Sequence, residues 1–154
     1  MAQKKVPLFK KDVIELSAVK LFRAEDEFVV GKHSIRWMND DFKKIIASVI
    51  TESNIEKVVL VTLKLARPAT TKEIAKSIGK SGAISLAHLS GLLDSQIQSF
   101  LVIVLVKGKV WAVYACWFAG YGWSVDAGPV DDPNPWGDES QVLSRKSTRN
   151  LVRQ

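Results

Sequence analysis

Apolar residues at Phe42, Ile45, Ile46, Val49 and Ile50 keep the i, i+3, i+4, i+7, i+8 spacing of one helical face, and Asn39 stands in front as a cap. A second helix is predicted over 54–66. Ile55, Val58, Val59 and Thr62 repeat at helical spacing, Ser53 with Glu56 reads as a capping box, and Pro68 stops the run. Thr70 and Glu73 form a further capping box ahead of Ile74, Ala75 and Ile78, with Gly79 as the left-handed stop. Another helix begins after Ser81, its apolar positions being Ile84, Leu86, Leu89, Leu92 and Leu93. The runs 100–106 and 110–118 are β-branched and aromatic and flank Lys107-Gly108-Lys109, a hairpin signal.

The ends of the chain read less regularly. Asp12 and Glu15 open a helix with Ile14, Ala18, Leu21 and Phe22 on one face, while alternation through Val19 and Leu21 supports a strand instead. After an acidic break at 24–27, segments 28–30 and 34–37 suit a small hairpin around Gly31-Lys32, with His33 at its tip, and 51–54 is a link. Beyond Trp123, Pro129, Pro133 and Pro135 accompany five acidic residues between Asp126 and Glu139, and the last stretch is basic, with a short helix over 141–152 on binding. The expected organisation is a basic arm (1–11), an α-rich extension (12–53), a central domain (54–123) and a tail (124–154) ordered only when bound.

The strand 110–118 is apolar on both faces, with Trp111, Val113, Ala115 and Trp117 on one and Ala112, Tyr114, Cys116 and Phe118 on the other. Such a strand is normally covered on both sides, here by the N-terminal extension or by another subunit. Trp111, Tyr114, Phe118 and Tyr121 also repeat near 3.6, but the valine-rich opening favours a strand.

Three helices followed by a hairpin, with Thr70, Glu73, Ile74, Ala75, Ile78 and Gly79 in a T-x-x-E-I-A-x-x-I-G pattern and His88, Leu89 and Leu92 in H-L-x-x-L, resemble the winged helix-turn-helix superfamily of small bacterial and archaeal regulators over 54–118. The resemblance implies a mainly α fold with a β-hairpin (α+β). It also implies a second helix that enters the major groove of double-stranded DNA. That helix carries no basic residue between Gly82 and Leu93 other than His88.

Charge location extends this picture. The chain of 154 residues carries a net charge of +6, and 54–118 holds eight basic against three acidic residues, a net +5. Lys72, Lys76 and Lys80 then hold the DNA backbone, Lys107 and Lys109 tip the wing, and Ser81, Ser85 and His88 are left to read bases. Trp111, Tyr114, Trp117 and Phe118 form the candidate interface of a homo-oligomer or larger assembly. Two functions follow: a DNA-binding regulator or genome-associated factor of prokaryotic or viral origin, or a protein-interaction module docking through the aromatic hairpin as an assembly subunit.

Other chemistry is thin. With 47% hydrophobic and 25% charged residues the composition is that of a globular protein. The lone Cys116, in an apolar run, reads as a buried thiol of a reducing compartment, the cytoplasm or a viral particle. No secretory leader is expected at 1–11, and Lys107 and Lys109 break the apolar run that a membrane span would need. His33 and His88 lack ligand-spaced partners for a metal. Gly79-Lys80-Ser81 lacks the earlier glycine of a phosphate loop because position 74 is Ile. Asp40-Asp41 and Asp131-Asp132 suit solvated caps, so neither catalysis, a cofactor nor a small-molecule substrate is expected.

Overall fold

The computed structural model describes residues 8–49, 51–65, 68–131, 133, 135–137 and 141–145. Strands β1 (Leu8–Leu16) and β2 (Val19–Arg23) lead into a one-turn helix α1 (Ala24–Glu27), β3 (Ile35–Met38) and α2 (Asp40–Ser48). Next come β4 (Thr51–Ile55), β5 (Val58–Leu65), β6 (Ala69–Thr70), α3 (Thr71–Ile78), a 3-10 turn (Lys80–Gly82) and α4 (Leu86–Ser95). The chain closes with β7 (Phe100–Val106), β8 (Lys109–Phe118), β9 (Gly122–Gly128), β10 (Pro135–Trp136) and β11 (Gln141–Arg145).

Seven strands form one mixed sheet in the order β1-β5-β11-β7-β8-β9-β3, with β2-β4 and β6-β10 as separate two-stranded ribbons. The pairs β11-β7 and β3-β9 are parallel and the rest of the large sheet is antiparallel. Strand outweighs helix, 48% against 27%, which overturns the mainly α winged helix.

Both faces of this sheet are buried, and strand periodicity sorts the side chains between them. On β7, Phe100, Val102, Val104 and Val106 join Phe42 and Ile45 of α2 and Leu86, Leu89 and Leu92 of α4 in one core. Leu101 and Ile103 face the other way, against Ile74 and Ile78 of α3 and Val142 of β11. Burying each such Leu, Ile or Phe contributes about 1.5–3 kcal/mol, so both layers are needed to hold the sheet.

That arrangement explains where periodicity misled. Residues 58–65, V-V-L-V-T-L-K-L, pair with both β1 and β11, and the helix expected over 54–66 is therefore a strand. A strand covered on both sides is apolar at almost every position, and helical spacing can be picked out of such a run at will. Likewise 8–16 is strand where a helix was expected from Asp12, and 19–23 follows the strand alternative. Residues 51–55 form β4 in place of a link, and of the expected 28–37 hairpin only β3 is a strand, paired with β9. The stretch read as a tail supplies most of β9, then β10 and β11, and β11 lies between β5 and β7 in the middle of the sheet. Residues 146–152 of the expected terminal helix, residues 1–7 of the basic arm, Ile50 and Ala66 lie outside the described residues.

Three local expectations hold. Asn39 Oδ1 accepts the Phe42 amide at 2.9 Å and starts α2. Thr70 and Glu73 exchange reciprocal bonds of 3.1 and 2.9 Å and start α3. Lys107 and Gly108 take φ of 51° and 77° and turn β7 into β8. Strand β8 is covered on one face by the α2/α4 core; on the other, Ala112 joins the α3 core and Tyr114 packs with Trp136, while Cys116 is half-buried and Phe118 exposed.

Helices α3 and α4 share no face. Between them Ile84 forms a parallel bridge with Val104, its amide reaching the Ile103 carbonyl at 2.9 Å and its carbonyl the Leu105 amide at 3.0 Å. The chain thus passes from one side of the sheet to the other along the edge of β7 beyond the β11 pairing. Gly82 makes the crossing possible: a Cβ there would overlap the Ile78 side chain and stand 2.6 Å from Ser144 Oγ. In a helix-turn-helix the second helix stands out to meet DNA. Here α4 is buried at Leu86, Ala87, His88, Leu89, Ser90, Leu92 and Leu93, and it cannot enter a groove.

Candidate functional site

The register gathers chemistry at one end of the sheet. Val142 is paired with Leu101 and Arg145 with Leu60, so β7 and β11 end where β5 begins. Lys57, Arg145 and the Lys107–Lys109 turn therefore share this end although 88 positions of sequence separate Lys57 from Arg145. Among the described residues, Lys57, Lys107 and Arg145 make no ion pair. Lys109 Nζ sits 4.4 Å from the Trp111 ring centroid, a cation–π contact that leaves the ammonium facing solvent.

Two acids stand near this end: Glu56, next to Lys57 in the chain, and Glu52, which is committed to a helix cap. Glu52, on β4, accepts the Leu86 amide at 3.1 Å and the Ala87 amide at 2.9 Å, one with each carboxylate oxygen. It thus satisfies two of the orphan donors of α4 and its charge faces the positive end of the helix dipole. Ser85 completes the cap: its Oγ accepts the His88 amide at 3.3 Å.

Below that cap lies a cavity of about 380 Å³, lined on the polar side by Lys57, Arg145, Glu56, Ser85 and His88, and by Leu105 among the apolar residues. His88 is 6% exposed, and its Nδ1 stands 3.2 Å from Ser85 Oγ. Burial lowers its pKa, helped by Arg145, while the carbonyls of Glu56 and Ser17 favour the proton less strongly, so the ring is neutral at pH 7. Nε2 is itself withdrawn from solvent and makes no full hydrogen bond among the described residues.

A second cluster occupies the opposite end. His33 Nδ1 lies 2.7 Å from Asp94 Oδ1, and Nε2 lies 2.8 Å from Glu27 Oε1 and 3.3 Å from Ser90 Oγ. Desolvation lowers the His33 pKa, but bonds and charge from Asp94 and Glu27 outweigh it and the net shift is upward. Ser, His and Asp stand here in the order of a hydrolase triad, yet the chemistry differs. The base must accept the serine proton at Nε2, and Glu27 holds that nitrogen more closely than Ser90 does. Ser90 is 5% exposed, so no substrate reaches it. The cluster instead ties the 28–34 loop, where His33 and Ser34 take φ of 55° and 62°, to α1 and α4.

The residues expected to meet DNA are scattered. Lys72 and Lys76 are exposed on α3, over the second core, and Lys80 and Ser81 lie in the turn that follows. Ser85 is consumed as a cap and His88 is buried. Lys107 and Lys109 do tip a hairpin, but one within a seven-stranded sheet. Of the aromatic interface set, Trp111 and Trp117 pack on the first core and Tyr114 stacks on Trp136 at 4.8 Å on the other face. Phe118 is 50% exposed, its ring 6.4 Å from Tyr121. Cys116 is half-buried and free.

Sequence reasoning passed over Glu52, Glu56 and Arg145 as site residues. Each lies in a segment read as link, helix or tail, and no local spacing joins them. No group of His, Cys, Asp or Glu among the described residues converges to hold a metal ion, and no helix there is long and apolar enough to cross a membrane.

Compared with family models, curated proteins and solved structures, the chain matches none.

Proposed function

We propose that the protein binds nucleic acid through its phosphates, at the end of the sheet that carries Lys57, Lys107, Lys109 and Arg145. The observation that carries this reading is the convergence of four cations from three parts of the sequence, none of them with an ion-pair partner among the described residues, on a chain of net charge +6. Cations held this way supply affinity and little sequence information. With α4 buried in the core, the reading takes recognition to be of backbone and shape. Trp111 under Lys109 adds an aromatic surface of the kind that bases stack on.

The test is fluorescence anisotropy with labelled single- and double-stranded oligonucleotides across a salt series. Four phosphate contacts give a log–log slope of about −3 for a single strand. Replacing Lys57, Lys107, Lys109 and Arg145 by Ala is expected to flatten it, whereas the Lys72, Lys76, Lys80 alanine variant keeps most of it. An unchanged slope in the fourfold variant defeats the reading.

A second reading, docking on another protein, draws on the other end. There Tyr121 is 55% exposed beside Phe118 with the Arg36 guanidinium 5.4 Å from its ring centroid, and Trp37 on the edge strand β3 is 50% exposed. Concentration-dependent light scattering that is abolished by Tyr121→Ser and Trp37→Ser supports it.

A further inference from the structure

Residues 29–34 form a short flap between two fixed points. Phe28 is buried and meets the Phe22 and Phe42 rings edge-on at 5.5 and 5.2 Å, and Ile35 is buried beside Trp123 of β9. Between them Val29 and Val30 are exposed. The backbone bonds of the flap close on itself and Ile35, apart from the Ser34 carbonyl, which accepts the Trp123 amide at 2.8 Å. Its side-chain ties among the described residues are those of His33 and of the Lys32 ammonium, which donates to the Asp26 carbonyl at 2.9 Å. His33 and Ser34 are consecutive in the left-handed region that side chains avoid, so the flap is held against its own backbone preference.

Only an imidazolium satisfies both carboxylates. Charged, the ring has an N–H at each nitrogen, one for Asp94 at 2.7 Å and one for Glu27 at 2.8 Å. Neutral, it has a single N–H, and its bare nitrogen would set a lone pair against a carboxylate oxygen. One contact then has to break, and Ser90 decides which. Its hydroxyl lies 3.3 Å from Nε2 and can donate to that nitrogen once it is bare, whereas Nδ1 has no such donor beside it among the described residues. The neutral ring thus keeps its proton on Nδ1, stays on Asp94 and gives up Glu27.

We propose that His33 is a proton-operated latch: charged, it holds the flap on α1 and α4 together, and neutral, it passes from Glu27 to Ser90 and lets the flap part from α1 while staying on α4. The hinge is Phe28, whose ring is fixed in the core and whose amide donates to the Ala24 carbonyl at 2.9 Å. Helix α1 is the side that yields. It is one turn long, has no side-chain cap, and carries Glu25, Asp26 and Glu27 with no basic residue in its last turn. The charges that act on the ring are those of Asp94 and Glu27. Lys32 is turned to α1 and Arg36 of β3 to Tyr121, the 118–122 turn has no charged side chain, and His88 lies at the other end of α4 against Ser85. Desolvation lowers the pKa of the ring, Asp94 and Glu27 outweigh it, and the release therefore falls above pH 6.5. The latch stands independently of both functional readings.

The experiment follows the full chain by NMR from about pH 6 to about pH 8.5, reading the His33 ring nitrogens and amide hydrogen exchange corrected for its intrinsic rate. A neutral ring with its proton on Nδ1 is expected. The Phe28 amide is expected to exchange about tenfold faster through the same titration, while the Trp123 amide stays protected. Ser90→Ala removes the competing donor, so its neutral ring is expected to carry the proton on Nε2 and to keep Glu27, with the acceleration at Phe28 suppressed. Glu27→Gln is expected to show the fast Phe28 exchange already at the lower pH, with the His33 titration moved down. A wild-type ring that titrates without changing Phe28 exchange, or whose neutral form carries the proton on Nε2, overturns the latch. So does a Ser90→Ala protein that keeps the acceleration; should that variant fail to fold, the wild-type tautomer and exchange decide.

Discussion

The bond between His33 and its two carboxylates makes stability depend on pH in a direction that can be worked out beforehand. Folded, the imidazole sits between Asp94 and Glu27 at 2.7 and 2.8 Å with its pKa raised above 6.5; unfolded, it returns to about 6.5. The folded state therefore binds the proton more tightly. The contribution is fully present below pH 6.5 and is lost as pH rises through the folded pKa. Two charge-assisted hydrogen bonds in a dry site are worth several kcal/mol together. Here the Asp94 and Glu27 side chains are 56% and 35% exposed, and solvent screening brings the expected contribution down to about 1–2 kcal/mol. His33→Gln keeps the size of the side chain and removes the titration. Urea unfolding of both proteins at about pH 6 and again at about pH 8.5 isolates the effect. His88, whose pKa is lowered, contributes with the opposite sign, because its share is present above pH 6.5 and lost on acidification; being in both proteins, it cancels in the difference. The variant is expected to be less stable by about 1–2 kcal/mol at the lower pH, with the gap closing at the higher one. A gap that is equal at both values refutes the protonated latch.

Other outcomes follow from the packing. Gly82→Ala is expected to cost about 1–3 kcal/mol in the same assay, since the crossing between α3 and α4 has no room for a methyl group; an unchanged midpoint means the Ile78 and Ser144 contacts yield freely. Asp126→Asn is expected to stabilise by about 1 kcal/mol, because burial raises the pKa of this carboxyl and its Oδ1 has no partner among the described residues. The sign follows from the raised pKa. The charged form is what folding penalises, so the advantage of Asn is full above the folded pKa and disappears as the medium is acidified below it. An advantage that persists in acid shows that the amide gains a new hydrogen bond instead.

What the sequence determined by itself is local. Asn39, Thr70 with Glu73, and Lys107-Gly108 act on backbone groups within four residues, and their caps and turn are found where those residues stand. The two-faced apolar character of 110–118 also announced a strand, though its second face is covered only in part, with Cys116 half-buried and Phe118 exposed. What only tertiary structure decided is every choice whose energy depends on a distant partner. Residues 58–65 become a strand because β1 and β11 offer ladders on both edges and two helical layers bury both faces, while the same apolar run read alone supports a helix equally well. Residues 141–145 enter the middle of the sheet although the acidic, proline-rich stretch before them reads as linker, because the open edges of β5 and β7 satisfy their backbone. Helices α3 and α4, adjacent in sequence, end on opposite faces because Gly82 lets the chain pass the sheet edge. The site is of the second kind too: Glu52 lies 34 residues from the amide it caps, and His33 lies 61 from Asp94. Hydrogen bonds and charge act over ångströms of space, and only the folded chain fixes which residues come within that reach.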